Sequence, residues 1–264
     1  MIKFKPRRVN FADGRTPVMS NEEIDEFAEA VLADYRPELL KEPGKVDTAH
    51  LLEYYMGAEI QFLDIYNENP DKPISALTTL TDGDIRVFDR ENNCVSYVNL
   101  PARTVVIDNE VTEPGNEGIE LFTQGHEGGH IILHWNVFLD RHGNPYEKIH
   151  DNYAAVICCQ RSHIQNNTFS AKRTLADWME HQADFFTAAT LMPNKTFRPF
   201  VIRYLRENGV YTGSIMLGRS SELSILGDYL LPQYIQEIYG VSITAAKIKL
   251  RQCGFVYSVN DIKI

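Results

Sequence analysis

The sequence has no uninterrupted apolar run approaching the roughly 18 residues of a membrane span. Its start, MIKFKPRRVNFADG, carries positive charge with no apolar stretch behind it. Both absences argue against a membrane partner and against export, so a cytoplasmic chain is expected. Cysteine is scarce. Cys94, Cys158, Cys159 and Cys253 show no CxxC spacing, and the adjacent pair can join only through a strained ring, so reduced thiols are expected. Positive charge is also short: Lys and Arg number 26 against 36 Asp and Glu, a formal charge of −10. Such a field repels phosphate backbones, and nucleic acid is disfavoured as a partner. Internal repeats and low-complexity tracts are missing as well, which excludes a solenoid.

What is present is enough for a core. A chain of 264 residues with 44% hydrophobic and 11% aromatic content can fold as one large domain or two small ones. Residues 1–19 mix Arg, Pro, Gly and Asn without periodicity and read as a surface arm or loose end. Order begins with a capping box, Ser20 and Glu23, followed by Ile24, Phe27, Ala28, Val31 and Leu32 at helical spacing. A second helix is expected from the cap Asp47 to Gly57. Short β-rich runs follow between Glu59 and Val111: EIQFLDIY, DIRVFDR, CVSYVNL and RTVVIDNEV. Helical spacing returns over about Gly118–Trp135 and about Leu175–Leu191, the latter behind a second capping box, Thr174 and Asp177. The expected fold is α+β, a small mixed or antiparallel sheet packed on an active-site helix, with a helical C-terminal part. The expected divisions are an arm at 1–19, a catalytic domain at 20–195 and a helical subdomain at 196–264. Within the second, 136–173 is a long insert between two ligand-bearing helices, read as a lid, a specificity segment or a helical excursion.

The segment LFTQGHEGGHIILHW carries the chemistry. On a helix, His126 and His130 lie four residues apart, one turn along the same face, so both imidazoles can bind one ion. Glu127 sits to one side of that face, close enough to reach a water on the metal, which is the place of a general base. A chance HExxH is expected in roughly 2 of 100 chains of this size and composition, so the motif needs its setting to count. Gly128 and Gly129 inside a helix each cost about 1 kcal/mol against alanine. Close approach of another backbone would compensate.

A catalytic zinc ion takes three protein ligands and keeps one position open. A metzincin would need histidine at position 136, where this chain has Asn136. Glu180 in WMEHQADFFTAATLMP is the better third ligand, because Asp184 lies one turn on and can accept the free ring N–H of a ligating histidine. His163, His181 and Asp151 are alternatives. For an oxyanion donor, His134, His181 and Tyr153 are candidates.

These motifs resemble the ImmA/IrrE family of bacterial and phage zincin-like metallo-endopeptidases. LFTQGHEGGHIILH is similar to the family's FT..HE.GH..LH helix, and Glu180, Ala183, Phe186, Ala188, Leu191, Met192 and Pro193 fall where its E..A..FAA..LMP signature would place them. The likeness reaches more weakly from the helix after Ser20 to the closing VSITAAKIKLRQCGF. It implies a zincin-like fold with one zinc ion held by His126, His130 and Glu180. It also implies a protein or peptide substrate, a transcriptional repressor among the kinds that relatives inactivate. Gly125 and Gly128 and the long insert depart from the family pattern. The alternative is a zinc-binding regulatory or interaction protein that keeps the fold and does not cut. Residues 196–264 carry eight Lys and Arg against five Asp and Glu, which reads as a solvated face.

Overall fold

A computed structural model of the chain describes residues 1–69, 71, 73–146, 153–160 and 174–258. Much of the 136–173 insert lies outside these residues, as do Asp151 and His163. The chain forms two units, one of Met1–Ile24 with Asp47–Thr187, the other of Asp25–Val46 with Ala188–Ile264. The division therefore differs from boundaries at 19 and 195. The arm belongs to the first unit, where Val9 bridges Pro17 and Thr16 is fully buried. Among the described residues no helix is long and apolar enough to cross a membrane.

Helix α1 (Asn21–Tyr35) starts at the expected capping box, with Ser20 N donating to Glu23 Oε2 at 2.8 Å and Glu23 N to Ser20 Oγ at 3.2 Å. The second helix begins at Asp47, whose side chain accepts from His50 N. It runs through α2 (Thr48–His50) into a π-helical turn at Leu51–Tyr55, and stops before Gly57, which takes a left-handed φ of 66°.

Four strands make the main sheet: β1 (Glu59–Leu63), β2 (Ile74–Thr79), β5 (Thr104–Asp108) and β6 (Val156–Gln160), in the order β1-β5-β2-β6. β1 runs parallel to β5, and β2 runs antiparallel to both β5 and β6. The sheet is thus mixed. The hairpin of β3 (Gly83–Asp89) and β4 (Cys94–Leu100) is separate. Its Ile85, Val87 and Leu100 are buried with Leu77 and Val106 of the sheet. The sequence pattern anticipates β1, β3, β4 and β5. It misses β2, buried along most of its length without the alternation of a half-exposed strand, and β6, which lies in the insert.

Helix α3 (Glu117–Gly129) continues through a π-helical turn, His130–His134, into α4 (Trp135–Phe138). Facing it is α5 (Leu175–Leu191), opened by the Thr174–Asp177 capping box. The compensation expected for the glycines is visible here. A Cβ on Gly129 would lie 3.0 Å from Ala183 Cα and 3.2 Å from its carbonyl oxygen, and one on Gly125 would lie 2.6 Å from Thr187 Cγ2. On another side, a Cβ on Gly128 would meet Met56 Sδ at 3.2 Å and Leu52 Cδ2 at 3.3 Å. The glycines let α5 approach α3 at backbone distance and seat the second helix against the same segment.

The second unit joins the rest of α1 to α6 (Asn194–Glu207), α7 (Ser221–Ile225), α8 (Leu231–Tyr239) and α9 (Ile243–Gln252). Short strands β7 (Ile215–Met216) and β8 (Val256–Tyr257) pair in parallel. Phe197, Phe200, Tyr239 and Phe255 form its aromatic core. The buried Lys249 amine lies 3.7 Å from Asp25 Oδ1, an ion pair that ties α1 to α9 inside this unit.

Replacing Gly129 with alanine forces α3 and α5 apart. The expected loss is about 1–3 kcal/mol of stability, read by denaturant unfolding, whereas Gly44→Ala, where an added Cβ meets nothing within 4 Å, serves as the control.

Candidate metal centre

His126 and His130 leave α3 one turn apart, and their Nε2 atoms come within 3.0 Å of each other. Glu180, from the first half of α5, brings Oε2 to 3.2 Å from His126 Nε2 and Oε1 to 3.3 Å from His130 Nε2. The structure therefore joins the three residues singled out as ligands. Asp184, one turn further on, places Oδ1 2.8 Å from His126 Nδ1, the partnership expected of it.

Hydrogen bonding fixes which ring nitrogens carry protons. A carboxylate only accepts, so His126 donates through Nδ1 to Asp184. His130 is governed by a longer chain. Gln182 Nε2 donates to the Pro17 carbonyl at 2.8 Å, which turns Gln182 Oε1 toward His134 Nε2 at 2.9 Å. His134 therefore donates from Nε2. Burial first, then the neighbouring His130, push its pKa down to about 3, so the ring is neutral and its Nδ1 is an acceptor. That Nδ1 stands 3.1 Å from His130 Nδ1, which must donate to it. Each of the two histidines thus turns a lone pair on Nε2 toward the other and toward the Glu180 carboxylate.

Three acceptors facing one point repel one another unless a cation lies among them. Their spacing suits one ion, since a tetrahedron with bonds of about 2.0–2.1 Å has edges of roughly 3.3 Å. Protons serve in its place when no ion is bound. Burial alone would lower His126, but Cys159, Asp184 and Glu180 outweigh it and hold its pKa well above the ordinary value. Burial alone would raise Glu180, but the hydrogen bonds from His126 and His130 hold its carboxyl far below the usual carboxylate range.

Glu127 is fully buried beside this group. The Thr78 hydroxyl of β2 donates to its Oε2, while Oε1 has no hydrogen-bond partner among the described residues. Burial raises its pKa, against the pull of His126, His130 and Thr78. A carboxylate with one oxygen anchored and the other unpaired is set to accept a proton.

Sequence reasoning missed three contributors. Cys159 of β6 is fully buried, and with His126 and Glu180 it offers ligand atoms all within 4.8 Å of one another, a group that could hold a metal ion. Burial raises its thiol pKa to about 11, against the lowering influence of His126. Thr78 and the Pro17–Gln182 pair were also unforeseen, since nothing in local spacing joins them to the motif. Among the oxyanion candidates, His134 has both ring nitrogens engaged behind His130 and cannot serve. Tyr153 is exposed and pairs with Asp84 and Tyr97 of the hairpin. His181 stacks on Trp178 and reaches Asn21 Oδ1 at 3.3 Å.

If the centre takes up a metal ion, the relay behind His130 predicts that Gln182→Ala weakens that binding by roughly 10–100-fold, measured for added zinc by competition with a chromophoric chelator. Unchanged affinity would show that the His130 tautomer needs no such support. Comparison of the sequence with family models and with curated proteins finds no match to this chain.

Proposed function

We propose that the chain is a zinc-dependent endopeptidase in which His126, His130 and Glu180 hold the ion and Glu127 is the general base. The observation that carries this reading is the convergence of two imidazole nitrogens 3.0 Å apart on one carboxylate, whose two oxygens lie 3.2 Å from the first and 3.3 Å from the second, beside a buried carboxylate with one unpaired oxygen. A bound zinc ion polarises a scissile carbonyl and acidifies a water molecule. Glu127 would accept a proton from the attacking water on Oε1 and pass it to the leaving amine, while Thr78 keeps Oε2 in place. Asp184 and His134 hold the two ligating rings in orientation. The motif resemblance to the ImmA/IrrE peptidases supports a zincin-like fold and a protein substrate, with a transcriptional repressor as the first to try.

From the sequence alone, the strand RTVVIDNEV is the edge along which an extended substrate would add as one more strand, and the fold changes that expectation. The strand RTVVIDNEV contains β5, which lies inside the sheet between β1 and β2 and has no open edge for a peptide. On the side of the ligand helix, β2 carries Thr78, and its outer neighbour is β6.

A second reading, a non-catalytic zinc-binding regulator, is favoured by Cys159: a fourth protein ligand would close the centre in the manner of structural zinc sites.

Elemental analysis and mass spectrometry of a digested peptide pool test these readings together. Wild type and Glu127→Gln should each retain one zinc per chain, with hydrolysis in the variant reduced at least about 100-fold. Glu180→Ala should hold zinc at least about 10-fold more weakly. Unchanged zinc affinity in Glu180→Ala would remove that ligand, and hydrolysis undiminished in Glu127→Gln would remove the base.

A further inference from the structure

We infer that Cys159 is a fourth protein ligand of the metal, and that β6 occupies the lane an extended substrate would take along β2, so that this conformation is a closed, latent state. The inference rests on the reading that His126, His130 and Glu180 hold a metal.

Strand register aims the thiol. Cys159 stands opposite Ala76 and Ile157 opposite Thr78, and residues opposite or two apart share a face of a sheet. Cys159 and Ile157 therefore face the side of β2 from which Thr78 reaches Glu127. Cys158, between them, faces the other way and is exposed. Ile157 is buried with Leu80 and Leu139, and Trp135 and Phe138 of α4 pack against them, which holds β6 beside the end of the ligand helix. The result is that Cys159, buried completely, meets His126 and Glu180 with all three ligand atoms inside 4.8 Å.

Thiolate sulfur is among the preferred donors for zinc. As the sulfur–metal bond forms, the thiol proton leaves to solvent. Two histidines, a carboxylate and a thiolate complete four-coordination and leave no position for water. The backbone adds a second barrier. Extended peptides are commonly recognised by pairing with a strand edge, and the edge of β2 away from β5 is already paired with β6 from Ile74 to Thr79. Hydrolysis then requires withdrawal of Cys159, and a substrate takes the place that β6 vacates.

Cobalt replacement tests the ligand directly, because a thiolate bound to Co(II) adds an intense near-ultraviolet charge-transfer band that nitrogen and oxygen ligands do not give. The cobalt-loaded wild type should show the band. A variant with Cys94, Cys158 and Cys253 all changed to alanine should keep it, and Cys159→Ser should lose it while cleaving the peptide pool faster than wild type. Stoichiometric cobalt without the band in wild type overturns the proposal whether or not any variant folds. A band that persists in Cys159→Ser overturns it too, and equal cleavage rates with the band lost overturn the latency. Failure of wild type to bind cobalt or zinc, read by elemental analysis, would instead defeat the metal reading and this inference with it.

Discussion

Helices α3 and α5 lie so close that backbone rather than side chains forms part of their contact, with an added Cβ on Gly129 only 3.0 Å from Ala183 Cα. The candidate metal centre depends on that distance. His126 and His130 project from one helix, Glu180 and Asp184 from the other, and bond lengths near 2 Å tolerate little change in their separation. Alanines in place of the glycines would favour the helix locally by about 1 kcal/mol each and would separate the two carboxylates from the two imidazoles. Local helix propensity is thus lower than it could be where the tertiary contact needs it to be.

The buried polar groups form two relays of opposite reach. His126 leans on Asp184 within one pair of helices, whereas His130 is oriented through His134 and Gln182 to a main-chain carbonyl in the N-terminal arm. Each relay ends with a lone pair on Nε2 directed at the same point. The carboxylate of Glu127 follows a related pattern, with one oxygen satisfied by Thr78 and the other left unpaired. Full pairing around the proposed ligands and incomplete pairing at the proposed base separate the groups that the proposed reaction needs fixed from the one it needs to react.

Much of this was legible in the sequence. The i, i+4 spacing of the histidines, the one-turn step from Glu180 to Asp184 and both capping boxes are local patterns, and local patterns survive folding because helix geometry alone sets them. The mixed α and β composition was legible for the same reason. Cys159, Thr78 and Pro17 reach the centre through strand pairing and loop packing across long stretches of chain, and no periodicity records such meetings. β2 escaped notice because a strand buried on both faces lacks alternation, and β6 because its five residues, VICCQ, sit in a segment with no strong period. Missing β2 and β6 also led to the misplacement of the substrate edge on β5.

The contact between Gln182 and the Pro17 carbonyl spans 165 positions of the chain. During synthesis the two histidines emerge before Glu180, and a pair of imidazoles without the carboxylate is a weak and unselective claim on zinc. The ring of His130 acquires its final tautomer only when the arm has folded back and α5 has docked. On the proposed reading, ion capture would therefore be a late event that reports completed folding of the unit rather than a template that directs it, and the affinity of the finished centre would be shared out as stability over segments from both ends of that unit.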